Sequence, residues 1–267
     1  MPELPEVEAA VRMLRETAEG RTIVRVRALH RALRARVKSA VLRSLAGARV
    51  DSVQRRGKHQ MLRLADGRTL HAHFRMAGGW HIDRSPGQAP RFARAVVELD
   101  DGARVWLVDP RALSTIDVRD DAPDLDLGPE ATDPSVRPRD LARAFARRRG
   151  PIKPALLDQR VVAGLGNIYA VEALWRARLD PRTPAASLGE SDLARLLAAI
   201  RYVMRRALAG WTTFAVYGRE GEPCRRCRGR ISRIIQAGRS TYFCPRCQWG
   251  ASASARAVSR VPRATRP

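Results

Sequence analysis

The chain of 267 residues contains no run of about 18 uncharged apolar residues, the minimum for a membrane-spanning helix. Its opening, MPELPEVEAA, lacks a basic start and an apolar core, so it does not read as a secretory signal, and the expected address is the cytoplasm. Lysine is almost missing: Lys38, Lys58 and Lys153 are the only ones among 50 Lys and Arg. A GC-rich genome that replaces Lys with Arg accounts for most of this bias. Each surviving lysine is therefore informative, because Lys places a compact charge where Arg carries a broad, permanently protonated fork. Cysteine is equally scarce, and none of Cys224, Cys227, Cys244 and Cys247 is spare. Carboxylates are too few to balance the cations, 27 Asp and Glu leaving a net charge of +23. With 45% hydrophobic residues the chain folds, and an excess of this size points to nucleic acid, since neutralising many phosphates releases counterions. No internal repeat is present.

What is there falls into segments. Short strand patterns occur at 22–28, 61–64, 95–99 and 104–108, with Asp66-Gly67 and Asp101-Gly102 as hairpin turns, so residues 1–118 predict an antiparallel β domain behind a leading helix. Residues 119–138 are rich in Asp and Pro and predict a surface linker. From 139 to 222 the apolar spacing turns helical, residues 223–250 form a cysteine module, and 251–267 carry four Arg and no acid, the pattern of a disordered basic tail.

Four constellations could carry chemistry. In MPELPEVE, Pro2 and Glu3 begin a helix whose buried stripe is Leu4, Val7, Val11 and Leu14, and helix-start logic alone explains the segment. With Met1 removed, however, Pro2 exposes a secondary amine with a free pKa of about 8, far more nucleophilic at neutral pH than a lysine. Glu3 is adjacent and Glu6 one turn on, so both carboxylates can serve proton transfer near that amine. Second, the run Gln54 to His59 reads either as a solvated basic loop or as a glycine-hinged turn on which Lys58 clamps a phosphate. Third, in the stretch from Lys153 to Tyr169, Gly164, Gly166 and Asn167 precede a helix and can aim N–H groups at a phosphate, although a tight helix–helix turn explains them equally well. Fourth, Cys224-x-x-Cys227 and Cys244-x-x-Cys247 have zinc-ribbon spacing and predict one structural zinc on four thiolates. Between these pairs a hairpin is expected to present Arg239 at its tip, where a guanidinium grips phosphate.

Taken in order, MPELPEVE, RRGK, DPR, the block from Lys153 to Tyr169 and the ribbon with GRSTYFCPRCQ resemble the formamidopyrimidine-DNA glycosylase and endonuclease VIII superfamily of base-excision repair enzymes, the opening being similar to the formamidopyrimidine branch. The resemblance implies an α+β architecture: an N-terminal helix on a β-sandwich, a helix-two-turn-helix domain and a zinc finger, with duplex DNA between the two domains. It implies a monomer acting on double-stranded DNA that holds damaged bases or abasic sites. By position, Pro2 would be the Schiff-base nucleophile, Glu3 the acid that helps open the sugar, Glu6 a supporting carboxylate and Lys58 the phosphate-side lysine. Lys153 would lie on the DNA side, and Asn167 and Arg239 would hold the phosphates flanking the flipped nucleotide. Met76, Arg111 and Leu113 would fill the emptied stack and face the orphaned base.

Two features depart from the family. Leu113 stands where an aromatic wedge is usual, and the segment from Gly210 to Tyr217 is short where family members carry a long loop over flipped 8-oxoguanine. The leading expectation is a bifunctional glycosylase and abasic-site lyase cutting by β,δ-elimination. The departures leave a second reading, a DNA-damage binding protein of weak or no activity on the same architecture. Oxidised pyrimidines and ring-opened purines are expected ahead of 8-oxoguanine as substrates.

Overall fold

The computed structural model describes residues 2–85, 87–121 and 123–249; the basic tail expected over 251–267 lies outside the described residues. Two compact units divide the chain, Met1–Asp126 and Leu127–Pro267.

In chain order the first unit contains α1 (Leu4–Ala18), β1 (Ile23–Ala28), α2 (Arg31–Arg34), α3 (Ser39–Arg43), β2 (Val50–Arg56), β3 (His59–Leu64), β4 (Thr69–His73), β5 (Gly79–Asp83), β6 (Ala93–Leu99), β7 (Arg104–Val108) and β8 (Thr115–Arg119). The strands form two antiparallel four-stranded sheets, in the orders β1-β6-β7-β5 and β2-β3-β4-β8. Both sheets and α1 feed one core, to which Val11, Val26, Leu62, Leu70 and Leu107 contribute. The α1 stripe of Leu4, Val7, Val11 and Leu14 is wholly buried and rests on β2. Gly67 and Gly102 close their hairpins at φ +90 and +83, where a side chain would be strained, while Asp66 and Asp101 accept backbone N–H groups two residues on.

The second unit contains α4 (Pro138–Phe145), α5 (Ile152–Leu156), α6 (Asn167–Ala177), α7 (Glu190–Leu208), β9 (Ser232–Gln236) and β10 (Arg239–Phe243). The long α7 packs along α6, and β10 also packs against α6. Part of the Asp- and Pro-rich stretch is built into this unit: Gly128 N–H donates to Gln159, Ala131 N–H to Ala163, and Ala163 N–H back to Pro129, while Ala131 and Val136 are buried. Its polar composition hides these few anchoring residues, because backbone pairing needs no particular side chain.

Candidate active site and nucleic-acid interface

Pro2 lies just before α1 rather than in it. Glu3, extended at φ −106, is the N-cap, and Pro5 takes the early helical position in which a missing N–H costs nothing. Pro2 is half-buried and Glu3 is 1% exposed. Glu6 is exposed, and its Oε2 accepts the Glu3 N–H at 2.8 Å. The two carboxylates thus sit differently: Glu3 is buried next to Pro2, and Glu6 holds the backbone of Glu3.

Lys58 follows Gly57, at φ +58, in the two-residue turn joining β2 to β3, and is 9% exposed. That turn is fastened to α1. Arg55 donates to the Gly57 carbonyl at 2.8 Å and to Glu8 Oε2 at 2.7 Å. Burial tends to raise the Glu8 pKa, but Arg55, Arg15 and Arg12 outweigh it and hold the carboxyl below its usual range. Behind Lys58 three histidines cluster on β3 and β4. His59 Nδ1 lies 2.8 Å from His71 Nε2 with the rings stacked, and His73 meets His59 edge-on. Burial, then the neighbouring rings and cations, lowers His59 to about 4 and His73 to about 3.

Met76, Arg111 and Leu113 are exposed on two loops that are laced together. The buried Asp109 carboxylate accepts N–H groups from Arg111, Leu113 and Ser114 and the Ser114 hydroxyl, all at 2.7–2.9 Å. Ser114 Oγ is also 3.0 Å from the Phe74 carbonyl, and Gly78 leaves no space there: a Cβ would sit 2.2 Å from Ser114 Oγ. Asp109 and Ser114 were not singled out in the sequence, although an Asp-Pro step that initiates a turn was visible.

In the second unit Asn167 opens α6, and its Nδ2 donates to the Ser240 carbonyl at 3.0 Å, bringing it to the strand that begins with Arg239. The hairpin tip itself is Ala237-Gly238, at φ +47 and +70, so Arg239 is the first residue of β10 rather than the tip. Lys153 is 0% exposed. Gln159 holds the glycine turn, accepting Gly164 N–H and donating to the Leu157 and Leu165 carbonyls. Glu172, also unforeseen, is buried and accepts the N–H groups of Ala215, Val216 and Tyr217. Burial raises its pKa despite the opposing pull of those donors.

The four cysteine sulfurs lie within 4.8 Å of one another, with Cys224 to Cys247 at 3.9 Å and Cys227 to Cys244 at 3.5 Å. Four sulfurs about 2.3 Å from a tetrahedral zinc would be about 3.8 Å apart, so the set fits that ion. The module is not held by thiolates alone: Cys224, Cys244 and Cys247 share a buried cluster with Val171 of α6, Val216 and Ile231.

Comparison with known proteins agrees with this arrangement. The formamidopyrimidine-DNA glycosylase N-terminal domain matches residues 1–116, that enzyme's H2TH domain 127–217, and a zinc finger found in FPG and IleRS 221–248. The chain belongs to the formamidopyrimidine-DNA glycosylase family. The formamidopyrimidine-DNA glycosylase of Novosphingobium aromaticivorans is 39% identical over 272 residues, covering 93% of this chain and all of the relative. MutM in complex with DNA containing carbocyclic 8-oxo-G superposes with a TM-score of 0.85 at 30% identity, covering 93% of this chain and 100% of that one. Lactococcus lactis Fpg in complex with abasic-site DNA gives 0.85 at 28% identity, covering 92% and 99%. The fold is that of the formamidopyrimidine-DNA glycosylases: β sheets behind a leading helix, an H2TH domain and a four-cysteine zinc finger. Among the described residues no helix is long and apolar enough to cross a membrane.

Proposed function

We propose that the chain is a bifunctional DNA glycosylase and abasic-site lyase of base-excision repair, acting in the cytoplasm as a monomer on duplex DNA that holds oxidised or ring-opened bases or abasic sites. The observation that carries the reading is the amino end, where Pro2, a secondary amine once Met1 is removed, precedes a buried carboxylic acid on a helix locked at its first turn.

Once Met1 is removed, the Pro2 nitrogen attacks C1′ of the damaged nucleotide. The N–C1′ bond forms as the bond to the base breaks, and the base leaves with a proton. Glu3 protonates the ring oxygen, so the sugar opens to an iminium. Loss of a proton from C2′ then expels the 3′-phosphate, and a second elimination expels the 5′-phosphate. Glu6 keeps the amine in register through the Glu3 N–H. Lys58 neutralises a phosphate beside the reacting sugar, Asn167 and Arg239 hold phosphates in the second unit, and Met76, Arg111 and Leu113 occupy the stack the nucleotide leaves. Lys153, with no exposed surface, serves DNA only through a group inserted to reach it. Zinc, held by Cys224, Cys227, Cys244 and Cys247, supports the hairpin and takes no part in the chemistry.

Borohydride reduction on an abasic-site duplex tests the reading. Wild type is expected to give a covalent protein–DNA adduct, and Pro2→Gly to lose most of it; Glu3→Gln should suppress base excision more than binding. Full activity in both variants would overturn the assignment.

A further inference from the structure

A hollow of about 520 Å³ in the second unit is lined from three places: the end of α6, one face of α7 and the first cysteine knuckle. Five arginines border it, Arg176 and Arg178 from α6 and its cap, Arg195 and Arg205 from α7, and Arg226 from between Cys224 and Cys227. The rest of the lining is Ala177, Ala198, Ala199 and Tyr202, short side chains and one ring, which leaves room between the cations. On α7 the lining positions recur every three or four residues and so share a single helix face.

Part of this charge has a structural use. The last carbonyls of a helix attract cations, and Arg226 donates to those of Trp175 and Arg176 at 3.1 and 3.5 Å, while Arg195 pairs with Asp192 at 2.6 Å. Among the described residues, Arg176, Arg178 and Arg205 meet no carboxylate, and all three are exposed. The Arg176 guanidinium lies over the Tyr202 ring, 3.3 Å from its centroid; stacking occupies the face of a guanidinium and leaves its N–H edge for an acceptor. Arg178 caps α6 at φ +60, a left-handed conformation that glycine takes at lower cost, so an arginine there is kept against a local preference.

We propose that the hollow binds a chain of condensed phosphates, such as a nucleoside triphosphate or inorganic polyphosphate carries. Its volume is that of a small-molecule site. Condensed phosphates gather several charges in such a space and offer oxygen pairs that match the guanidinium fork. An extended acidic peptide presents a carboxylate to one side only at every second residue, about 7 Å apart, too sparse for five cations around one hollow. The residues assigned above to the DNA backbone are elsewhere: Asn167 opens α6, about 15 Å of helix away from Ala177. A ligand in the hollow joins α6, α7 and the first knuckle, and so stabilises the second unit.

Fluorescence anisotropy of a labelled ATP on the full, zinc-loaded chain at fixed salt tests the site. Affinity is expected to fall roughly tenfold or more in Arg176→Glu/Arg205→Glu and to stay within about twofold in Arg239→Ala, while trapping on abasic DNA by the double variant stays within about twofold of wild type. Arg178→Gly suits the left-handed cap, so it should melt no lower than wild type yet bind the probe several-fold more weakly; a purely structural arginine gives no such split. Inorganic triphosphate competing as well as unlabelled ATP would assign recognition to the phosphate chain alone, and a clear advantage for ATP would add the nucleoside; both support the site. It is overturned if wild type does not bind the probe, if binding is unchanged in both hollow variants, if Arg239→Ala loses as much as they do, or if undamaged duplex displaces the probe completely.

Discussion

At the scale of single residues, the wedge loops depend on a carboxylate that never touches DNA in the reading above. Asp109 satisfies three backbone N–H groups and a hydroxyl while fully buried, and those donors hold its pKa down against the burial that would raise it. Asp109→Ala leaves these donors without a partner and should cost about 2–4 kcal/mol by urea unfolding, with lesion excision falling further than the stability loss alone explains. Leu113→Phe is expected to act the other way, speeding excision of base lesions in single-turnover assays by restoring an aromatic wedge. The histidines behind Lys58 make a pH prediction. Unfolded, each titrates near about 6.5, whereas the fold keeps His59 neutral to about 4 and His73 to about 3. As the pH falls below 6.5 the unfolded chain takes up protons that the fold refuses, so stability is lost across that window. For His59 this is on the order of 2 kcal/mol at pH 5, and His59→Gln should flatten the dependence of the urea midpoint on pH. None of these partners was legible in the sequence. Ser114 meets Phe74 across 40 positions and Glu172 meets Ala215 across 43, separations that no local pattern encodes.

At the scale of elements, local signals carried far. The α1 stripe, the two Asp-Gly hairpins and the paired cysteines were legible because each is settled within a few residues. Where a cap or turn closed one or two residues away from the expected position, the reading shifted: Pro2 fell outside α1 once Glu3 took the cap, and a two-residue turn moved Arg239 off the tip. The zinc module shares its buried cluster with α6 and Val216, so chelation should loosen the hairpin without melting the helices. Removing zinc is expected to abolish tight DNA binding while far-ultraviolet circular dichroism keeps most of its helical signal. Arg239→Ala should weaken binding equally on all duplex sequences and reduce the salt slope by about 1. An unchanged slope would take Arg239 off the phosphate.

At the scale of the whole molecule, the charge of +23 far exceeds what a handful of phosphate contacts requires. Much of it is spread along the chain, four Arg lying in residues 251–267. Deleting that segment should lower affinity for undamaged duplex and its salt dependence, measured by fluorescence anisotropy, while single-turnover cleavage of abasic DNA at saturating enzyme stays within about twofold. The short strap from Gly210 to Tyr217 bears on substrate range at the same scale. Side-by-side rates should put abasic sites ahead of 8-oxoguanine opposite cytosine, and faster excision of 8-oxoguanine than of any other base lesion would contradict this.

The absence of room at Gly78 has a mechanical consequence. With Ser114 Oγ filling the space a Cβ at Gly78 would need and lying 3.0 Å from the Phe74 carbonyl, the loop bearing Met76 and the loop bearing Arg111 and Leu113 are closely packed. On the proposed wedge role the two loops are expected to move as one lever, with the three side chains entering the duplex in a single stroke rather than in turn. A fluorescent base opposite the lesion would register that stroke as one kinetic phase, and Gly78→Ala, by prising the lever apart, would split it in two.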